Sequence, residues 1–310
     1  MAKEKTGTDL ETTSVRQKIT STIGKILVYT FLIVVAISVI FPFYWMLISS
    51  LKTRTEYELS QPTFFPRKIE TYTIEKEDGS TIKTIIPENY AKAFKSGNLG
   101  RLFINTMIVG VVSTLLSLVI TVLTAFAFAR LEFKGKNILF AGLLATMMIP
   151  GELFTITNYI TVNQLDWMHT YRVLIVPFLV SVFYIYLLRQ NFLQIPNELY
   201  LAAKVDGTSD FKYLCKVMVP LSLPTLISIT ILKMMGAWNS YIWPRLVAND
   251  EAHKLITNGL RSVNLTYSDG TTDYPAQMAA VAMVSLPLFL VFIFLRKYIM
   301  KGVSRSGIKG

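Results

Sequence analysis

The sequence is short of charged residues, of cysteine and of histidine. Only 16% of its 310 residues are Asp, Glu, Lys or Arg, whereas soluble domains carry about 25%. A single cysteine, Cys215, excludes an internal disulfide, and two histidines make a zinc cluster implausible. We therefore predict no metal site, and we expect Cys215 to be a small apolar residue on a helix face.

Catalytic and nucleotide-binding motifs are also missing. The sequence has no G-x-x-x-x-G-K-[ST] phosphate loop, no G-x-S-x-G nucleophile elbow and no H-E-x-x-H metal site. We therefore predict that the chain is not an enzyme and binds no cofactor itself. Any energy for its work must then come from another chain.

Long apolar runs are what the sequence has in abundance, with 52% hydrophobic residues and a mean hydropathy of +0.45. A helix needs about 20 apolar residues to cross a hydrocarbon core of roughly 30 Å. Six runs are long enough: residues 26–51, 102–129, 138–160, 173–193, 221–243 and 278–299. The first is too long for a signal-peptide core and no cleavage site follows it, so we expect it to be retained. The sequence predicts an all-α integral membrane protein with six transmembrane helices.

Positive charge is concentrated on one side of this topology. Six helices place both termini on the same side, and the segments on that side hold most of the net charge of +11. We predict a bacterial plasma-membrane protein with both termini cytoplasmic, and no nucleic-acid partner. Its predicted parts are a cytoplasmic segment (1–25), one membrane domain (26–300) and a cytoplasmic tail (301–310).

Two outside loops are long, residues 52–101 and 245–276. The first contains YTIEKEDGSTIKTII, in which two alternating β-prone runs flank Asp78 and Gly79, a pair typical of a tight hairpin turn. The sequence predicts a small extracytoplasmic β-element there, which either docks a partner or caps the helices.

Lys233 lies inside the fifth apolar run, where charge is costly and therefore points to function. It is about 11 residues, or roughly 16 Å, from the start of the run. It shares one helix face with Gly236, Ala237 and Ser240. This stripe is predicted either to line a translocation path or to pack against a helix that holds the ammonium.

Glu152 and Asn239 complete the candidate translocation path. Glu152 follows Pro150 and Gly151 in the third run, about 14 residues or roughly 21 Å from its start. Because that depth is comparable to the depth of Lys233, we hypothesise an ion pair between Glu152 and Lys233.

A polar stretch, LAAKVDGTSDFKYLCKVMVPLSLP (residues 201–224), separates the fourth and fifth runs and lies in an inside loop of residues 194–220. It predicts two short helices around a turn at Asp206 and Gly207, since glycine suits the left-handed residue that ends a helix. Thr208 or Ser209 is expected to cap the second helix.

The two helices of this hairpin have different faces. Leu199, Ala202 and Ala203 line the first, and the small alanines allow a partner to approach closely. The second has an apolar stripe at i, i+3, i+4 and i+7. Its members are Phe211, Leu214, Cys215 and Met218. An interfacial helix lying on lipid is the alternative, but the apolar face of the first helix is too small for it. We therefore predict that the hairpin docks a protein.

This stretch resembles the EAA loop of permease subunits in bacterial ABC importers, E-A-A-x-x-D-G-A-S followed by an apolar helix and L-P-L-x-x-P. The matching residues are Ala202, Ala203, Asp206, Gly207, Ser209, Pro220, Leu221 and Pro224. Leu201 replaces the usual glutamate, and Glu198, one turn earlier, is a possible substitute. FINTMIVGVVSTL, AFAFARLEFKGKN and WNSYIWPRLV are similar to the carbohydrate branch of this family. The ending RKYIMKGVSRSGIKG is similar to the shorter subunit of a permease pair, of the maltose-transporter type.

The resemblance implies a type I ABC importer fold with a cytoplasmic coupling helix. It implies a second permease, two ABC ATPase subunits that bind ATP and Mg, an extracytoplasmic solute-binding protein and a carbohydrate substrate. The residues that would couple to the ATPases are Leu201, Ala202, Ala203, Lys204, Asp206, Gly207, Thr208, Ser209 and Phe211. The loop that would contact the binding protein runs from Asn249 to Tyr274 and includes Asn258 and Gly259. The tail would reach between the ATPases.

Three other functions are weighed against a sugar importer. The same machinery could import glycerol phosphate or another polyol derivative. An ATP-independent secondary transporter predicts ion relays or an inverted repeat, and neither is visible. A membrane-embedded enzyme lacks a nucleophile, a metal or an acid–base pair. Lys233 stands where related sequences usually have an uncharged residue, and the first outside loop is enlarged. These two departures favour a substrate larger or more polar than a simple disaccharide.

Overall fold

The computed structural model describes residues 7–75, 80–96, 98–262 and 265–304, with side chains over 22–75, 80–95, 98–261 and 265–296. The first seven helices are α1 (Gly7–Leu51), α2 (Arg54–Tyr57), α3 (Glu88–Ser96), α4 (Leu99–Arg130), α5 (Lys136–Thr146), α6 (Thr155–Gln164) and α7 (Tyr171–Ile175). The next eight are α8 (Val182–Leu193), α9 (Asn197–Val205), α10 (Asp210–Tyr213), α11 (Val219–Leu221), α12 (Leu223–Trp238), α13 (Ile242–Val247), α14 (Ile256–Ser262) and α15 (Tyr274–Ser304). Two 3₁₀ turns (Gly151–Phe154, Val176–Phe178), one π-turn (Leu214–Met218) and two strands, β1 (Thr71–Glu75) and β2 (Thr81–Pro87), complete the described elements.

The six predicted membrane spans all fall on helices. Three are continuous and apolar over Thr22–Leu51, Leu99–Arg130 and Tyr274–Arg296. Three more are obtained when each of three bent helix pairs is counted as one span. These pairs are Lys136–Thr146 with Gly151–Gln164, Tyr171–Phe178 with Val182–Leu193, and Asp210–Leu221 with Leu223–Trp238.

The third and fourth spans are broken, whereas the sequence predicted continuous helices there, and a third bend lies at the start of the fifth span, between Asp210–Leu221 and Leu223–Trp238. The bends are 83°, 45° and 80°. Pro150, Pro177, Pro220 and Pro224 lie at or beside the breaks. Proline has no N–H for the helix ladder and its ring clashes with the preceding turn, so it favours interruption. α12, the helix of the fifth span, also ends at Trp238, five residues before the end predicted for that span at residue 243.

Contacts divide the chain into two compact units, and the first comprises residues 1–89 and 273–282. Here β1 and β2 pair antiparallel, with Ile74 opposite Ile82, so the predicted β-element is confirmed. The predicted turn at Asp78 and Gly79 lies outside the described residues. Ile85 is 96% exposed, and the choice between docking a partner and capping the helices stays a prediction.

The end of α1 is fixed to the loop that follows it, within the same unit. Asn89 donates to the carbonyl oxygens of Ser50 and Lys52, at 2.9 and 2.8 Å. The Glu56 carboxylate accepts from the Thr63 hydroxyl (2.6 Å) and from the backbone N–H of Arg67 (3.0 Å). These polar groups are thus satisfied by backbone and side-chain partners.

The second unit comprises residues 90–272 and 283–310, and it is built around α4. One face of α4 is buried and consists mostly of small residues, which let membrane helices approach closely. They are Thr106, Gly110, Ser113, Thr114, Ser117, Thr121 and Ala125. This face packs against α8 and α12. A Cβ at Gly110 would lie 2.9 Å from the Met234 sulfur, so a larger residue here would displace the Met234 side chain.

Candidate coupling hairpin and candidate translocation cavity

The loop between α8 and α12 forms the predicted helical hairpin. α9 ends at Val205, and Gly207 has φ +68°, a left-handed conformation that glycine adopts without strain. Ser209 begins the second helix, and its hydroxyl accepts from the Lys212 backbone N–H at 3.4 Å. The turn and the cap therefore lie where the sequence predicted them.

Tyr200, Lys204 and Asp210 form a polar clasp across this turn. The Lys204 ammonium lies 2.6 Å from the Asp210 carboxylate, and the Tyr200 hydroxyl donates to the same carboxylate at 2.8 Å. The hydrogen bond from Lys204 to Asp210 raises the pKa of Lys204. The clasp ties α9 to α10, so the two helices of the hairpin form one rigid piece.

The apolar stripe predicted for the second helix is wrong in its membership. Leu214 and Met218 are buried as expected, but Phe211 is 67% exposed and Cys215 is exposed. The cause is the π-turn at Leu214–Met218, which widens the helix and shifts the faces of the residues around it. Tyr213 takes the buried position instead.

The buried face of the hairpin packs on the ends of the membrane helices. Tyr213, Leu214 and Met218 belong to one apolar cluster with Phe126 of α4 and Phe192 of α8. Burial of such side chains is worth about 1.5–3 kcal/mol each. The hairpin is therefore held firmly against α4 and α8.

Two arginines, Arg130 and Arg189, join α4 to α8, a role that sequence reasoning missed. Arg130, at the end of α4, is buried and donates to the carbonyl oxygens of Phe192 (2.9 Å) and Ile195 (2.5 Å). Arg189 of α8 donates back to the carbonyl of Phe128 at 3.0 Å. Each arginine thus satisfies helix-end carbonyls of the other helix. The sequence signal that could have indicated these contacts is an arginine near the end of an apolar run.

The outer surface of the hairpin includes apolar side chains that the described residues leave uncovered. Leu201 is 56% exposed, Val205 88% and Phe211 67%, and Ala202 is exposed between them. Ala203 is only partly buried, on the side of the apolar cluster. Such a patch on a rigid element is typical of a protein-docking site.

A cavity of about 340 Å³ lies within the second unit, beside Lys233. Gly236, Ala237 and Ser240 line it together with Lys233, so the predicted stripe does share one wall. The Lys233 ammonium donates to the carbonyl oxygen of Phe178. The stripe therefore faces a cavity while its ammonium is held by a neighbouring element, which combines the two alternatives of the sequence analysis.

Glu152 and Asn239 do not join this site. Glu152 lies exposed in the 3₁₀ turn that follows Pro150. Within the described part of the chain it forms no ion pair with Lys233, so that hypothesis is wrong: the 83° bend takes the end of the third span off a straight helix path. Asn239 is the exposed C-cap of α12 and is not among the cavity's lining residues.

The loop predicted to contact a binding protein is only partly available. Asn258 is 2% exposed and Gly259 is buried in α14, whose packing on α4 sequence reasoning did not foresee. With its amide nitrogen facing the Tyr241 carbonyl, Asn258 donates to that oxygen at 3.1 Å. These two residues cannot meet a partner in this conformation. A continuous exposed stretch of the loop is the turn at 268–271, next to the bridge between Thr266 and Thr272.

The start of this loop is fastened to α4. Asn105 donates to the carbonyl oxygens of Ala252 (2.8 Å) and Lys254 (3.0 Å). The Thr106 hydroxyl accepts from the backbone N–H of Ile256 at 2.8 Å. These two polar residues of a membrane helix thus form hydrogen bonds that hold the loop, and they are not needed to explain substrate binding.

Both histidines of the chain contact Asp250 in the same loop. His253 and His169 lie 2.8 and 3.2 Å from its carboxylate oxygens. Burial alone would raise the pKa of Asp250, but the hydrogen bonds and charges of His253 and His169 outweigh it and lower the pKa. The ionised carboxylate therefore stabilises the fold of this loop.

Comparison with known proteins places this architecture among transporters. The family model described as "Binding-protein-dependent transport system inner membrane component" matches residues 12–305. The chain is 29% identical over 224 residues to the arabinooligosaccharides transport system permease protein AraQ of Bacillus subtilis (strain 168), covering 72% of this chain and 79% of that one. It is 27% identical over 288 residues to the sn-glycerol-3-phosphate transport system permease protein UgpE of Rhizobium meliloti (strain 1021), covering 91% and 96%.

A solved structure has the same fold. It is described as a bacterial ABC transporter involved in the import of the acidic polysaccharide alginate. It superposes with a TM-score of 0.77 at 20% identity, over 90% of this chain and 97% of that one. The fold is therefore that of an ABC importer permease, a multi-pass membrane protein. Since the family model covers nearly the whole sequence, the chain belongs to the family of inner membrane components of binding-protein-dependent transport systems.

Proposed function

We propose that this chain is the shorter permease of a heterodimer that imports a carbohydrate, driven by two cytoplasmic ABC ATPases and fed by an extracytoplasmic solute-binding protein. Relatives named as permeases of arabinooligosaccharide and glycerol-3-phosphate transport support this class of substrate. The chain itself contributes a path and no catalysis. ATP and Mg belong to the ATPases.

The coupling hairpin is the observation that carries the proposal. Its outer surface is exposed and apolar at Leu201, Val205 and Phe211, while its inner face is packed on α4 and α8. The clasp at Lys204 and Asp210 keeps the two helices together. The exposed apolar surface can bind an ATPase, and the inner face is packed on the membrane helices. A rigid element of this kind can transmit a conformational change of the ATPase to those helices.

Leu201 replaces the acid that relatives of the EAA type usually carry. Its 56% exposed side chain makes the contact with the ATPase apolar rather than ionic. Glu198 is exposed one turn earlier, where it can supply a charge at the edge of the same surface.

The orientation follows from this role. The hairpin faces the cytoplasm, so both termini are cytoplasmic and the loops at 52–101 and 245–276 lie outside. The turn at 268–271 is the part of the second loop that contacts the binding protein. Residues 301–304 begin the tail that reaches between the ATPases, and residues 305–310 of that tail lie outside the described residues.

Import of glycerol phosphate or another polyol derivative by the same machinery is the second candidate. Lys233, a cation beside the cavity, favours it. The two candidates share the coupling mechanism and differ only in the solute.

Reconstitution into proteoliposomes tests the proposal. We expect uptake of the sugar only when the partner permease, the ATPases, the binding protein and ATP are all present. Flux through the chain alone along a sugar gradient would instead indicate a secondary transporter or a channel.

A further inference from the structure

The cavity beside Lys233 has the size and lining of a ligand site. Its volume of about 340 Å³ lies within the roughly 300–1,000 Å³ typical of small-molecule pockets. Besides Lys233, its wall contains the hydroxyls of Ser113, Ser181, Tyr184 and Ser240. Polar groups within a membrane are costly, so a group of them lining one cavity points to function.

The Lys233 ammonium brings a positive charge that the cavity does not neutralise. Its hydrogen-bond partner is the neutral carbonyl oxygen of Phe178. Among the described residues that line the cavity there is no aspartate or glutamate. Lys233 is ten residues from the start of α12 at Leu223, about 15 Å along the helix, which is half of a hydrocarbon core. An anion in the cavity would supply the missing countercharge.

The broken fourth span adds to the positive potential. Ser181 is the N-cap of α8, and the first intrahelical bond runs from the Ile185 N–H to the Ser181 carbonyl. The N–H groups of the first turn therefore have no acceptor within α8, and they form the positive end of the helix dipole. This helix end supports the lysine and would not make a site alone.

The remaining wall fits a polyhydroxy compound. The structure gives the hydroxyls of Ser181, Tyr184 and Ser240 no hydrogen-bond partner within its described part. Phe178 and Trp243 pack edge to face at 5.8 Å, and the Trp243 indole N–H donates to the Val173 carbonyl at 2.9 Å. Fixed aromatic rings beside free hydroxyls suit the apolar and polar faces of a sugar.

We propose that this cavity binds an anionic polyol, a saccharide or sugar alcohol whose carboxylate or phosphate contacts Lys233. The inference rests on the proposed transport function and narrows its substrate class. Carboxylate and phosphate share the chemistry that the ammonium recognises, a delocalised oxyanion.

The test is direct binding to the purified permease heterodimer with its ATPases, without the binding protein, so that only the membrane cavity is probed. Titration calorimetry uses trigalacturonate as the carboxylate probe, glucose 6-phosphate as the phosphate probe and maltotriose as the neutral probe. We expect an anionic probe to bind more tightly than maltotriose. Lys233→Met should weaken that binding by about tenfold or more, and Lys233→Arg should largely retain it.

Lys68→Met is the matched control, because Lys68 is an exposed lysine outside this unit, paired with Glu70 at 3.1 Å. Loss of affinity for trigalacturonate alone or for glucose 6-phosphate alone supports the inference and identifies the anion. Unchanged affinities in Lys233→Met overturn it, as does equal binding of maltotriose or no binding of either anionic probe to the wild-type complex.

ATP-driven uptake separates this inference from the function on which it rests. Equal uptake of a neutral sugar by wild type and Lys233→Met would contradict the proposal that the cavity binds an anionic ligand. It would leave the proposed permease function unaffected. A complete complex without ATP-driven uptake of any saccharide would instead defeat the proposed function itself.

Discussion

At the scale of single residues, Arg130 connects the membrane helices to the coupling hairpin. Its guanidinium holds the carbonyl oxygens of Phe192 and Ile195, where α8 ends and the hairpin begins. It also donates to the Asn197 side chain at 3.3 Å, in the first turn of α9. A planar fork of donors meets three acceptors on a turn, which a lysine ammonium cannot reproduce in the same geometry.

Replacing Arg130 should therefore loosen the hairpin. Arg130→Met leaves helix-end carbonyls without donors, and we expect a loss of about 2 kcal/mol or more, since bonds to charged groups contribute roughly 1.5–3 kcal/mol. Thermal unfolding in detergent measures it. Arg101→Met, at an exposed arginine of the same helix, should change the melting temperature little. Equal melting temperatures for both variants would contradict the capping role.

Asp250 predicts a pH dependence for the loop after α13. Its pKa is lowered from the ordinary value of 3.8. A carboxylate with a depressed folded pKa contributes stability that is complete above its unfolded value and is lost as the pH falls through the folded value.

The destabilisation by Asp250→Asn should accordingly be complete at pH 7 and should shrink as the pH falls below the unfolded value of about 4 towards the lowered folded value. Melting temperatures of the two proteins across this range measure it. Asp166→Asn, at an exposed aspartate, is the matched control. A difference that persists unchanged at pH 3 would rule out the carboxylate as its source.

At the scale of elements, the hairpin was predictable where its structure is local. Gly207 and Ser209 mark a turn and a cap by short-range chemistry, and both lie where expected. The π-turn at Leu214–Met218 was not predictable, because a strict 3.6-residue period assumes a uniform helix. The face of a helix next to Pro220 depends on how the chain enters α12, which is decided by packing.

The packing of α14 on α4 predicts an effect at Gly259. A Cβ there would lie 2.1–2.8 Å from atoms of Leu102, whose side chain is 4% exposed. Overpacking of this kind typically costs about 1–3 kcal/mol, so Gly259→Ala should lower the melting temperature. Gly142→Ala is the control, because no atom lies within 4 Å of the added Cβ. Equal effects would show that α14 has room to shift.

At the scale of the whole molecule, six apolar runs fixed the fold class but not the breaks within it. Hydropathy measures the length of a run and is insensitive to bends such as the 83° turn after α5. That bend is why depth alone failed to pair Glu152 with Lys233. Asn258 was misjudged for a similar reason, since a polar loop residue can be buried by a partner such as the Tyr241 carbonyl.

The most direct measurement concerns the transmission of force through the hairpin. Ala202 is exposed on α9, so Ala202→Trp should leave the melting temperature unchanged while its bulk blocks the ATPase surface. We measure ATP-driven uptake and binding-protein-stimulated ATP hydrolysis by the reconstituted complex, with Ala141→Trp at an exposed alanine of α5 as the control. We expect Ala202→Trp to abolish uptake and the stimulation of hydrolysis, and Ala141→Trp to retain both. Full uptake by Ala202→Trp would contradict the claim that the ATPases drive this chain through the hairpin.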